Sequence, residues 1–139
     1  MANQVSVEVV GGSTVSVAWT QGMNAQKALE LAWAAINNTQ TFTYGLQYYG
    51  PQLGYMIFMI DETFDSFLSA AQPFFYWHFF VNDQPANQGI DGTILKDGDK
   101  VKFSFDRYIP EQHAGTLLES KFHFQQRQLQ PRRNRIPPQ

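Results

Sequence analysis

The stretch FFYWHFFVND, residues 74–83, decides how this chain folds. A strand with one solvated face alternates apolar and polar residues. Here Phe75, Trp77, Phe79 and Val81 fall on one side, and Phe74, Tyr76, His78 and Phe80 on the other. Both faces therefore need a cover. The side carrying Trp77 is expected to meet a helix. Three occupants are open for the other side. The C-terminal extension could fold back, with Phe122 and Phe124 packing on Phe74, Tyr76 and Phe80. A small apolar ligand could sit there. A second chain could pair across it, since exposed apolar patches beyond roughly a few hundred Å² mark interfaces.

Working outward, 139 residues make one domain with a core of its own. Twelve Phe, six Tyr and three Trp with few charges argue against disorder. Such a composition favours a thick core or a site for something flat and apolar. The absence of Cys excludes a disulfide framework, a thiolate nucleophile and a Cys-rich zinc site. No window reaches the length of an apolar membrane span. The start, MANQVSVEVV, has no basic region followed by an apolar one, so the expected compartment is cytoplasmic as written. It is secreted or cell-surface where a leader has been removed.

Residues 1–119 hold all twelve carboxylates and five of the ten basic residues. The last twenty hold Lys121, Arg127, Arg132, Arg133 and Arg135 and no acid. The Pro- and Arg-rich segment 131–139 reads as a disordered basic tail, either plainly solvated or in contact with an acidic partner. The four arginines from Arg127 to Arg135, without interleaved aromatics, do not make a nucleic-acid site.

Val5, Val7 and Val9, then Val15, Val17 and Trp19, alternate around Gly11-Gly12 and read as a hairpin. Asn24 is placed to cap a helix on which Ala25, Ala28, Leu29, Ala32, Trp33 and Ile36 share a face, with Asn37-Asn38 as the stop. Extended segments follow at 41–49, 54–60, 74–83 and 101–108. The sum is an α+β domain, one helix on a mainly antiparallel sheet of about five or six strands. In SKFHFQQRQL, 120–129, Phe122 and Phe124 alternate with polar residues and could add an edge strand. Lys96-Asp97-Gly98-Asp99 reads as a tight turn before the last strand rather than as catalytic acids.

The ordered set FTYGLQYYGPQLGY, then YWHFFVNDQPANQGIDGTILKDGDKVKFSF, resembles the β-grasp-like domain at the C-terminus of transcobalamin and intrinsic factor. It is similar also to an uncharacterised bacterial domain family grouped with it. The match runs from about residue 4 to 108, which sets the domain at 1–108, an extension at 109–130 and the tail at 131–139. The resemblance implies a domain that closes over a corrinoid held mainly by a separate helical domain, and no such helical domain is read in this chain. Carried over position by position, the ligand-facing parts are the turn around Tyr48, Tyr49, Gly50 and Leu53, then His78 beside Trp77, and Tyr108, where the carriers have Trp.

The leading expectation is a binding domain without catalysis, whose aromatic face comprises Tyr48, Tyr49, Leu53, Tyr76, His78, Phe80 and Tyr108. Its partner would be a flat or apolar small molecule, a protein or a second copy. No cofactor is required by the sequence, and a corrinoid is implied by the resemblance alone. One alternative is a small cofactor-free isomerase or cyclase with His78 as acid–base and Asp61 or Asp106 as its carboxylate. Another is an accessory subunit or homodimer. His78, His113 and His123 show no zinc-protease spacing. Asp61, Glu62 and Asp65 in DETFD could hold a hard cation, or be ordinary loop charge, and they lack the EF-hand pattern.

Overall fold

The computed structural model describes residues 3–37, 40–51, 53–66, 73–109 and 117–129. The basic tail and His113 lie outside the described residues. The elements are β1 (Gln4–Val9), β2 (Thr14–Ala18), α1 (Ala25–Asn37), β3 (Tyr44–Tyr48), β4 (Tyr55–Ile60), β5 (Thr63–Phe64), β6 (Phe75–Val81), β7 (Gln84–Pro85), β8 (Lys100–Arg107) and α2 (Leu117–Leu129). The class is α+β, as expected. The strands divide into two sheets rather than one: β2-β1-β8-β6-β7 and β3-β4-β5. In the larger sheet β1 and β8 are parallel and the other pairs antiparallel. No described helix is long and apolar enough to cross a membrane.

Local chemistry explains most of these elements. Asn24 Oδ1 accepts from the Lys27 backbone N–H at 2.8 Å, capping α1. At the other end the Asn37 amide donates to the Trp33 and Phe42 carbonyls, and its oxygen accepts from the Phe42 N–H. Ala25, Ala28, Leu29, Ala32 and Ile36 are buried, and the three alanines let α1 lie close on the sheet. Trp33, expected on that face, is instead 45 % exposed. Two tight hairpins turn on Asp61-Glu62 and Asn82-Asp83, all four at positive φ. The Lys96–Asp99 turn is structural: Asp99 Oδ2 accepts from the Lys96 N–H, and Gly98, at φ 89°, donates its N–H to Gln4 of β1. Gly89 is required for another reason. A Cβ there would lie 2.3 Å from the Leu53 carbonyl oxygen, so only glycine lets this loop pass the start of β4.

The core between α1 and the larger sheet contains Trp77 and Phe79 of β6 with Val5, Val7, Val101 and Phe103. The opposite face of β6 is covered by the chain itself. Phe122 of α2 stacks on Tyr108 with ring centroids 4.6 Å apart and packs on Phe74 at 5.2 Å, while Tyr76 is buried among them. Residues 120–129 are thus helix, not the edge strand that their alternation suggested. On a helix, Lys121 and Gln125 lie one turn apart on the buried side. Phe122 and Phe124 splay to either flank, toward Tyr108 and Tyr49. A buried face whose central residues are Lys and Gln carries no apolar helical period.

That polar underside fills the seam between the sheets. β6 pairs with β8 along its length, but on its other edge β7 reaches only Phe80 and Val81. Ser66 Oγ accepts from the Phe75 N–H at 2.7 Å. Asp65 Oδ1 accepts from the Trp77 N–H at 2.7 Å. The Trp77 carbonyl accepts from Lys121 Nζ at 3.4 Å, and the Phe79 carbonyl from the Ala86 N–H. The same ammonium reaches the Ile57 carbonyl of β4 and Asp65 Oδ2, both at 2.8 Å. Lys121 and Asp65 side chains are 0 % and 1 % exposed. Removing one partner of such a pair leaves a buried charge and open carbonyls. Lys121→Met is therefore expected to cost about 3–5 kcal/mol in urea unfolding, with Asp65→Leu/Lys121→Met recovering part of it. A loss under about 1 kcal/mol would show that the seam does not depend on the pair.

Candidate functional site

The helix α2 divides the expected aromatic face. Tyr76 and Tyr108 are buried beneath Phe122, and Tyr49 is buried against Phe124. Tyr48 is 49 % exposed and packs on Tyr55 at 5.0 Å. Phe80 lies beside His78 at 4.1 Å, with Lys102 Nζ 4.7 Å over its ring. These residues do not form one open platform.

Among the described residues, a groove of about 600 Å³ lies between the β3–β4 loop and α2. Its walls are Tyr49, Gly50, Pro51 and Leu53 on one side and Ser120, His123 and Phe124 on the other. The loop wall is fixed by backbone hydrogen bonds from Tyr49 N–H to Gly54 O and from Gly54 N–H to Gly50 O. The helix wall is fixed from beneath, because Gln125 donates to both Tyr49 Oη and Asp65 Oδ2. His123 Nε2 stands 4.0 Å from Glu119. Tyr49 and Leu53 were expected at a ligand. Ser120, His123 and Phe124 were missed, because a strand reading of their segment sends alternate residues to opposite faces.

A second polar group sits on β6 and β8. Diagonal neighbours across this pair share a face, which brings His78 and Asp106 together. Their Nδ1 and Oδ2 are 3.2 Å apart, and Tyr76 Oη is 3.1 Å from the same nitrogen. That nitrogen either donates to Asp106 or accepts from Tyr76, depending on the tautomer. Ser104 Oγ donates to Asp106 Oδ1 at 2.6 Å. The serine thus bonds to the carboxylate, not to the imidazole, which differs from a nucleophile paired with a histidine base.

Asp61 accepts from the Thr43 N–H in the β4–β5 turn, and Glu62 reaches the Thr43 hydroxyl. Asp65 lies in the seam with Lys121. The three DETFD carboxylates thus have different partners, and among the described residues no group of three or more His, Asp or Glu is placed to hold a metal ion.

The domain-of-unknown-function family DUF4430 matches residues 22–107. The chain belongs to that family. No curated protein matches this DUF4430 chain. Among solved structures it is similar to haptocorrin in complex with Cbi, at TM-score 0.60 and 17 % identity over 78 % of this chain. It spans about a quarter of the haptocorrin chain, 26 %. A weaker likeness, at TM-score 0.47 and 15 % identity, is to a protein from Ruminococcus gnavus ATCC 29149 described as a candidate metal-binding protein. It covers 76 % of this chain and 96 % of that one. At these identities the likeness to haptocorrin establishes a shared fold. The family match stops before α2, so three of the seven groove residues lie outside it.

The buried phenols of this DUF4430 domain report on the helix cover. Burial raises Tyr76 above the ordinary tyrosine value, and the negative charges of Asp106 and Asp65 add to it. Burial likewise raises Tyr49, with the Gln125 hydrogen bond opposing. A raised folded-state value means that these phenols contribute stability fully below about pH 10, which is lost as pH rises above it. Titration at 295 nm is expected to leave Tyr49 and Tyr76 protonated until the chain unfolds, so that their absorbance coincides with the loss of far-UV circular dichroism. Six phenols ionising together in the folded chain would contradict the cover.

Proposed function

We infer that this DUF4430 chain is a ligand-binding domain without catalysis, and that its site is the groove between the β3–β4 loop and α2. The observation that carries this reading is the lining: Tyr49, Pro51, Leu53 and Phe124 are apolar, and Ser120 and His123 supply a few polar atoms. Mostly apolar walls with sparse polar groups suit a flat, partly apolar molecule. The order β2-β1-β8-β6, with β1 and β8 parallel at its centre, supports a β-grasp-like description. Haptocorrin shares the fold and was solved with Cbi, so a corrinoid is the first molecule to test.

Equilibrium dialysis against cobalamin and Cbi, read by the ligand's own visible absorbance, is expected to show retention by the wild type. Leu53→Arg replaces apolar contact worth about 1.5–3 kcal/mol and should weaken binding by about tenfold or more. Unchanged affinity in Leu53→Arg and Phe124→Ala would remove the groove as the site. No retention by the wild type would remove the corrinoid.

A second reading rests on the His78–Asp106 contact at 3.2 Å, which suits acid–base chemistry on an apolar substrate. In that case His78→Ala would abolish turnover and leave affinity in the groove unchanged. No turnover in the wild type, with groove affinity unchanged in His78→Ala, would favour binding alone.

A further inference from the structure

The Asp65–Lys121 pair has a geometry beyond that of an ion pair. We propose that Asp65 and Lys121 condense into an intramolecular isopeptide bond, making the seam a self-modification site of the folded chain.

Nζ lies 2.8 Å from Oδ2, and both side chains are shut off from water. A neutral amine has two N–H bonds and one lone pair. The Ile57 carbonyl at 2.8 Å and the Trp77 carbonyl at 3.4 Å take the two N–H bonds. The direction left for the lone pair is that of the Asp65 carboxyl. The acid is held as well: the Trp77 N–H donates to Oδ1 at 2.7 Å and Gln125 Nε2 to Oδ2 at 3.0 Å. The Trp77 N–H is thus placed to stabilise the negative charge that develops on Oδ1 during attack, while Gln125 holds Oδ2, the oxygen that leaves. The reaction needs the neutral form of the pair. Burial pushes the Asp65 carboxyl up, opposed by Lys121 and the donors around it. A proton passed from ammonium to carboxylate gives the two uncharged groups that condense.

The step balances without oxidant or co-reactant. The Nζ lone pair attacks Cγ of the protonated carboxyl, and the C–N bond forms. Oδ2 departs as water, carrying the carboxyl proton and one proton from Nζ. The products are one amide and one water. Holding amine and acid in contact supplies an effective concentration of about 10⁵–10⁸ M for well-oriented groups. Gln125 donates to the leaving oxygen but cannot relay a proton, so the bond should accumulate with the age of the folded protein rather than at once.

Intact-mass measurement on the full chain, fresh and after prolonged warming below its unfolding temperature, tests this directly. The expected result is a growing species lighter by one water. Tryptic mapping should join the peptide holding Asp65 to the peptide holding Lys121, with no cleavage after Lys121. Gln125→Glu, which adds an acid able to relay the proton, should speed the change, and Lys121→Arg should abolish it. An unaltered mass in both the wild type and Gln125→Glu would overturn the proposal. So would a water loss that maps to Asp91 or Asp97, each followed by glycine and able to form a succinimide.

Discussion

Backbone groups at the edge of a strand must be met by something, and among the described residues one edge of β6 pairs with a strand only at Phe80 and Val81. Each buried N–H or C=O left without a partner costs about 1–3 kcal/mol. This domain meets them with side chains: Ser66 and Asp65 accept from Phe75 and Trp77, and Lys121 donates to Trp77. Since Lys121 also reaches the Ile57 carbonyl on β4, one ammonium serves the edges of both sheets. The position of β3-β4-β5 beside the larger sheet, and the seating of α2 across the two, follow from that arrangement.

Seating α2 there also decides what the aromatic residues do. Tyr76 and Tyr108 become a small second core with Phe74 and Phe122. Tyr49 becomes the floor of a groove whose other wall is the helix. A surface that would otherwise offer a broad aromatic platform is narrowed to the groove between the β3–β4 loop and α2. The groove takes chemistry from both parties: apolar loop residues from the family domain, and a serine and a histidine from the helix.

Much of this was legible in the residues and some was not, for physical reasons. Period-two alternation places β1, β2 and β8 well, and an almost unbroken aromatic run places β6, because a strand covered on both faces needs apolar residues on each. Asn24 announces the start of α1 because a cap is a local hydrogen bond. The division into two sheets was hidden, since it rests on side chains from residues 65, 66 and 121 reaching an edge that no local pattern describes. The helix α2 was hidden for a related reason. Its buried residues are Lys121 and Gln125, so Phe122 and Phe124 are what a hydrophobic pattern sees, and two apart is the period of a strand. His78 and Asp106 could be named as partners, but only the register between β6 and β8 brings them together.

The Lys121 contacts have a kinetic side. They join residues 44, 56 and 64 positions apart, to Trp77, Asp65 and Ile57. Non-local closures form late, because the chain loses loop entropy before the contact is made. Until they form, the N–H of Trp77 can be met by Asp65 from nearby, but its carbonyl waits for a segment far along the chain. The β6–β8 pair, whose partners lie 20 to 32 positions apart, can therefore form before α2 docks, with the aromatic side of β6 bare until the helix closes it. An early intermediate with that face open is the species most prone to stick to its neighbours.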